Sequence, residues 1–232
     1  MLVLDWMTKE VFSVAPGTTL LTCSKRFKDH DVTTMPVVEG HHHEVVGIVT
    51  AAQVRERMPK AEISRDIVDV LESLERVKAR DFMTPRPVTI DYRSTVPQAA
   101  RVMLDKRIHF LSVVDGERKL VGVLTEWDLF QALAKIAGGG VSDGVELVCD
   151  IENEQGALRE LLRQIRDSGP RIASVQSTLS DDGTMREVLV SFWSDDPAVE
   201  SKALDSLHSH PGLRFWNHRG VIFMRDQTEA GS

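Results

Sequence analysis

The chain has 232 residues, 42% hydrophobic and 27% charged, with a net charge of −7. This is globular usage with material for one large core or two modest ones, and it excludes wholesale disorder. Charges balance up to residue 140, and the acidic surplus lies wholly beyond it. Neither part carries a basic stripe, so no nucleic-acid partner is expected.

The opening MLVLDWMTKE has an apolar stretch too short for a signal-peptide core, with no basic residues before it. No apolar run approaches the ~18–20 residues that span a bilayer. A soluble, cytoplasmic protein with no membrane partner is the expectation. Cys23 and Cys149 are too few and too far apart for a disulfide framework. Their neighbours are apolar, so both are expected to be buried and inert.

The first 137 residues repeat themselves. Asp5-Trp6-Met7-Thr8 returns as Asp81-Phe82-Met83-Thr84. Met35-Pro36-Val37-Val38-Glu39-Gly40 returns as Leu111-Ser112-Val113-Val114-Asp115-Gly116, and Gly47-Ile48-Val49-Thr50 as Gly122-Val123-Leu124-Thr125. Each repeat reads strand, helix, strand, turn, strand, helix. Val88-Thr89-Ile90 is a β-branched strand, and Val96, Ala99, Ala100, Met103 and Leu104 mark a helix from Val96 to Arg107. Phe110 to Val114 and Leu120 to Leu124 form a hairpin across Asp115-Gly116. Trp127, Leu129, Phe130 and Leu133 begin a closing helix. Between the repeats, Ile63, Ile67, Val70, Leu71, Leu74 and Val77 share one helical face, which predicts a packed connector. Two units this small would bury their sheets together, with a ligand cleft at the junction.

Thr125 leaves a strand and Asp128 follows three residues later. One reading is a capped helix start. The other is a carboxylate accepting two hydrogen bonds from a vicinal diol, with the Thr hydroxyl and the helix amides facing a phosphate. The first repeat places Gln53 at the matching position, a neutral side chain on a longer arm, so the two sites should differ. Lys106, Arg107 and His109 could meet a phosphate or simply end a helix. His41-His42-His43 sits in a turn where neighbours point apart, so an exposed polar turn is expected and no metal site.

Residues 145–223 read βαββαβ, the ferredoxin-like order. Val145 to Ile151 alternates as a strand, and Asn153-Glu154-Gln155-Gly156 turns into a helix carrying Leu158, Leu161, Leu162 and Ile165. A hairpin follows across Asp181-Asp182-Gly183. Val199, Ala203, Leu204 and Leu207 mark the second helix, and Leu213 to Met224 is a closing strand. There is no nucleophile elbow, P-loop or paired-carboxylate arrangement, so a non-catalytic role is expected.

The order Met-Thr, then apolar-Pro/Ser-Val-Val-acidic-Gly, then Gly-x-x-Thr-x-x-Asp, found twice with Gln53 in place of the Asp in the first copy, resembles a tandem pair of CBS domains, a Bateman module. The Asn153–Gly156 turn resembles the ligand loop of ACT domains, although Glu154-Gln155-Gly156 replaces the usual Arg/Asn-Pro-Gly. The combination is similar to the acetoin utilization AcuB family. The resemblance implies an α+β chain: CBS repeat 1 over 1–60, a helical connector over 61–80 and CBS repeat 2 over 81–137. A Gly-rich hinge over 138–144, an ACT-like domain over 145–225 and a tail over 226–232 complete it. It also implies a regulator, expected to be a homodimer acting on an unidentified protein, whose effector is AMP, ADP, ATP or S-adenosylmethionine. No cofactor is required. By the same resemblance, Thr125 and Asp128 would face Thr8, Phe12, Thr33, Thr34 and Pro36, while Thr50 and Gln53 would face Thr84, Val88, His109 and Phe110. Phe12, Val88 and Phe110 could flank a base or belong to the core. The ACT-like part would bind a small amino acid or serve only to pair chains. The alternative overall reading is an interaction scaffold with vestigial clefts.

Overall fold

The computed structural model describes residues 1–58, 72, 74–136 and 144–225. The chain divides into two compact units, Met1–Ala132 and Leu133–Ser232.

In the first unit, each repeat builds a small sheet backed by helices. Repeat 1 has α1 (Leu20–His30), the antiparallel pair β1 (Thr34–Glu39) and β2 (Glu44–Thr50), and α2 (Ala51–Arg57). Repeat 2 contributes β3 (Thr84–Pro85), β4 (Thr89–Asp91), α3 (Val96–Lys106), β5 (Phe110–Val114), β6 (Leu120–Thr125) and α4 (Glu126–Ile136). The internal symmetry extends to the caps. Thr19 and Thr95 cap α1 and α3 by accepting from the amides of Thr22 and Gln98. Asp31 and Arg107 end those helices in the left-handed region, at φ 48° and 54°.

The two openings are exchanged. The Val3 and Leu4 amides donate to the Ser94 and Tyr92 carbonyls at 2.8 and 3.0 Å, and those of Ala79 and Arg80 to the Thr18 and Pro16 carbonyls at 2.8 and 3.0 Å. Val3, fully buried, joins the core of repeat 2 with Ile90, Leu111, Val113 and Leu124, and Trp6 and Met7 pack against it. Ala79 and Phe82 likewise join the core of repeat 1 with Val14, Leu20, Val37 and Val49. Each repeat therefore completes its apolar core with a segment of the other, as expected of units too small to bury a core alone. In the connector, Leu74 is buried and Val77 packs on the repeat 1 core. Ile63, Ile67, Val70 and Leu71 lie outside the described residues, as do most of the Gly-rich hinge and the whole tail.

The second unit contains β7 (Val145–Glu152), α5 (Ala157–Asp167), β8 (Arg171–Leu179), β9 (Met185–Trp193), α6 (Pro197–His208), β10 (Leu213–His218) and β11 (Val221–Met224). The sheet order β11-β10-β7-β9-β8 is the ferredoxin-like arrangement with one added edge strand. Alternate residues Val145, Leu147, Cys149 and Ile151 of β7 meet Leu161 and Ile165 of α5 and Ala203, Leu204 and Leu207 of α6 in one core. The single closing strand expected over 213–224 is two. Arg219 and Gly220 both take positive φ, 53° and 82°, the conformation of a two-residue hairpin turn. At the other end of β10, Gly212 crosses the backbone of β7. A Cβ there would lie 1.7 Å from the Asp150 carbonyl oxygen.

Cys23 and Cys149 are both fully buried. Burial raises their thiols from the ordinary 9.0 to about 11 and about 12. Among the described residues no helix is long and apolar enough to cross a membrane, and no group of three or more His, Cys, Asp or Glu side chains could hold a metal. His41, His42 and His43 are exposed in the turn between β1 and β2.

Candidate ligand cleft

Thr125 ends β6 and Asp128 stands in the first turn of α4, so strand and helix geometry fix both. The Asp128 Oδ2 accepts from the Thr125 amide and from Thr125 Oγ1, each at 2.7 Å. The Asp128 amide donates in turn to Thr125 Oγ1 at 3.3 Å. This is a capping box with Asp in place of the usual Glu. Oδ2 is fully engaged, whereas Oδ1 has no hydrogen-bond partner among the described residues. The side chain is half-buried. The capped helix start and the presented acceptor are thus properties of one carboxylate, one per oxygen.

Repeat 1 builds the same box with Gln53. The Thr50 amide donates to Gln53 Oε1 at 2.9 Å, and the Gln53 amide to Thr50 Oγ1 at 3.2 Å. The longer side chain then does something Asp128 cannot. Its Nε2 donates to Thr84 Oγ1 at 3.0 Å, reaching the exchanged opening of repeat 2.

The exchange positions the two Met-Thr pairs. Thr8 bridges Val123, with the amide of each donating to the carbonyl of the other at 2.9 and 3.0 Å. Thr84 is the register partner of Ile48. Each threonine therefore stands beside the closing strand of the opposite repeat, two residues ahead of Thr125 or Thr50.

The remaining expected residues pair, through their backbones, within their own repeats. Thr34 is the register partner of Thr50, and the Ala51 amide donates to the Thr33 carbonyl at 2.9 Å. Phe110 is the partner of Thr125, and the Glu126 amide donates to the His109 carbonyl at 3.3 Å. Thr33 and Thr34 thus flank their own repeat's Thr50, and His109 and Phe110 their own Thr125. The reason is the hairpin: a short turn pairs the start of its first strand with the end of its second. Pro36 is buried within β1, and Val88 lies just ahead of β4 in repeat 2. Phe12 stacks on His30 of the same repeat, ring centroids 3.6 Å apart. Of these expected residues, Thr8 and Thr84 are the ones that pair with the closing strand of the opposite repeat.

Glu126 was not singled out by the sequence. Its Oε2 lies 2.6 Å from His109 Nδ1, which places a carboxylate and an imidazole directly beside Thr125. The equivalent residues of repeat 1, Ala51 and Thr33, carry no such pair. A Glu directly after the motif Thr, with a His at the start of the partner strand, was the available signal. Lys106 closes α3 and Arg107 is its left-handed C-cap, the position that favours basic side chains.

In the second unit, Gly156 opens α5 at φ 102° with open space around it. Asn153 of the preceding turn is committed to the sheet, its Nδ2 donating to the Gly183 carbonyl at 2.9 Å and its Oδ1 accepting from Arg186 Nε at 2.7 Å. A recess of about 600 Å³ beside this turn is lined by Asp150, Glu152, Glu160, His210 and Arg214, among others. The Arg214 guanidinium there is already paired with Glu187 and lies 3.7 Å from Asp150.

The CBS domain family model matches residues 3–60 and again 79–135. A CBS domain-containing protein of Dictyostelium discoideum is 30% identical over 135 residues, 58% of this chain and 92% of that protein. The CBS domain of a membrane protein from Sphaerobacter thermophilus superposes with a TM-score of 0.50 at 25% identity, over 56% of this chain and 86% of that one. CBSX2 of Arabidopsis thaliana, solved in complex with AMP, aligns with a TM-score of 0.49 at 24% identity, covering 58% and 97% of the two chains.

Proposed function

Because the chain belongs to the CBS-domain family and carries the domain twice, we propose that it is a non-catalytic sensor whose effector is an adenine nucleotide or S-adenosylmethionine bound beside Thr125 and Asp128. One observation carries this reading. Asp128 is pinned by Oδ2 to the Thr125 cap, and its Oδ1, without a hydrogen-bond partner among the described residues, is presented at the start of an eleven-residue helix. A ribose supplies the matching donors, two neighbouring hydroxyls, and a charge-assisted hydrogen bond is about twice as strong as a neutral one. Thr8, delivered by the exchanged opening, stands beside the same strand end, so a ligand there touches both repeats. Binding shifts the arrangement of the repeats by its differential affinity for the two states, and the acidic C-terminal unit is the output element.

A thermal-shift series tests this directly. AMP, ADP, ATP and S-adenosylmethionine are each titrated against wild type and Asp128→Ala. At least one compound should raise the wild-type midpoint and leave that of Asp128→Ala unmoved. Equal shifts, or none for either protein, would favour the interaction scaffold.

Two finer expectations belong to the same proposal. The positive φ and open surroundings of Gly156 support close approach of a small amino acid to the Asn153–Gly156 turn, which an amino-acid panel in the same assay tests. Pairing of two chains is tested by sedimentation equilibrium.

A further inference from the structure

Resting on the reading that Asp128 holds an adenosyl ligand, we propose that Gln53 is a built-in latch: it fills the matching place in repeat 1 with its own amide, so that one chain takes one ligand. The two capping boxes share the reciprocal backbone-amide bonds, to which repeat 2 adds one from Thr125 Oγ1 to Asp128 Oδ2, and they differ again beyond the box. In repeat 1 the Gln53 Nε2 spans from the motif to Thr84 Oγ1 at 3.0 Å and joins the two elements between which a ligand would lie. In repeat 2 Asp128 has no donor to extend, no hydrogen bond among the described residues joins it to Thr8, and Oδ1 is left over.

The chemistry of the two places is therefore opposite. A hydroxyl entering beside Gln53 meets a neutral NH₂ group with one hydrogen already committed to Thr84 Oγ1 and an Oε1 that already accepts from the Thr50 amide, and to pass between the two elements it must part the Gln53–Thr84 bond. A hydroxyl entering beside Asp128 breaks nothing and gains a bond to an anion. The latch also fixes one of the two exchanged openings side chain to side chain. The other, Met1–Thr8, is tied at its threonine, among the described residues, by the backbone bonds to Val123. The opening at Thr8 is consequently the one a ligand can tighten.

Native mass spectrometry of the intact chain with AMP, and separately with S-adenosylmethionine, counts the ligands. The expected result is one per wild-type chain and none on Asp128→Ala. Two per wild-type chain, or one retained by Asp128→Ala, would overturn the proposal. The latch itself is read from urea unfolding of Gln53→Ala, Thr84→Val and the double variant. The two losses should fall short of additivity by about fivefold in the folding equilibrium constant, the worth of one hydrogen bond. Strict additivity would overturn the latch even with a single ligand bound. If neither compound binds wild type while the coupling is present, the ligand reading and the one-ligand count fall, and the latch stands as a structural clasp.

Discussion

The Met7 sulfur rests on Gly122, and the Met83 sulfur rests on Gly47. A Cβ on either glycine would come 2.5 Å from the sulfur, with the Thr8 carbonyl oxygen at 3.1 Å from one and the Thr84 carbonyl oxygen at 3.2 Å from the other. The Gly of each Gly-x-x-Thr and the Met of each Met-Thr are two halves of one contact that crosses between repeats.

This contact predicts the cost of filling it. Alanine at a compatible glycine ordinarily stabilises by about 0.4–1 kcal/mol. Gly122→Ala should instead destabilise by about 1–3 kcal/mol, because Met7 must turn away and the Thr8 backbone must give. Urea unfolding measures the loss. Adding Met7→Ala should cost less than the two single changes summed, and simple additivity would show that Met7 is not what the glycine makes room for.

Gly212 is a harsher case. The atom its Cβ would strike is the Asp150 carbonyl, which belongs to the backbone of the central strand β7 and cannot rotate aside. The Asp150 amide already donates to the Gly212 carbonyl, at 2.8 Å. Gly212→Ala should cost about 3 kcal/mol or more. Limited proteolysis should then cut within residues 145–225 before it cuts the repeats. A variant as resistant as wild type would contradict the close crossing.

Stability should fall at high pH for a nameable reason. Burial holds the Cys23 and Cys149 thiols neutral up to about 11 and about 12, while the unfolded chain ionises them near 9.0. The thiol contribution is fully present below about pH 9 and is lost as pH rises from there through the folded values. Neither thiol should react with a thiol-specific reagent at pH 8 until the chain unfolds. Cys23→Ala with Cys149→Ala should flatten the alkaline limb, and an unchanged limb would assign it elsewhere.

The acid limb has its own groups. Arg93 holds the Asp91 carboxyl down to about 2, and Ser180 with Thr184 holds that of Asp182 down to about 2. Their contribution is present above the unfolded carboxyl range and lost as pH falls through it toward 2. Asp182→Asn should shallow the acid dependence measured by unfolding between pH 5 and 2. A slope equal to that of wild type would rule this out.

Much of the architecture could be read from the residues because it is carried by local signals. The repeated Met-Thr and Gly-x-x-Thr pieces, the alternation in Val145 to Ile151 and the hairpin at Asp115-Gly116 are all short-range patterns. The exchange of the openings is carried by contacts such as Met7 with Gly122, more than a hundred residues apart, and no periodicity reports it. The resemblance, not any periodicity, is what set His109 and Phe110 opposite Thr50 and Gln53, and the hairpin register that pairs Phe110 with Thr125 adds their neighbourhood within repeat 2. The Arg219-Gly220 turn was legible as a polar, Gly-containing break between two apolar pieces of the 213–224 segment. At the site, Thr125 and Asp128 were found by spacing. What spacing could not reveal is that one carboxylate oxygen serves the cap and leaves the other over.

The most direct measurement is isothermal titration calorimetry of AMP, ADP, ATP and S-adenosylmethionine into wild type and Asp128→Asn. The asparagine oxygen can still accept from Thr125, so the helix start and the unfolding midpoint should be kept while the anionic acceptor is lost. Saturable binding of at least one compound to wild type, weakened about tenfold or more in Asp128→Asn, is the predicted result. Equal affinities in the two proteins, or negligible heats in both, would contradict it.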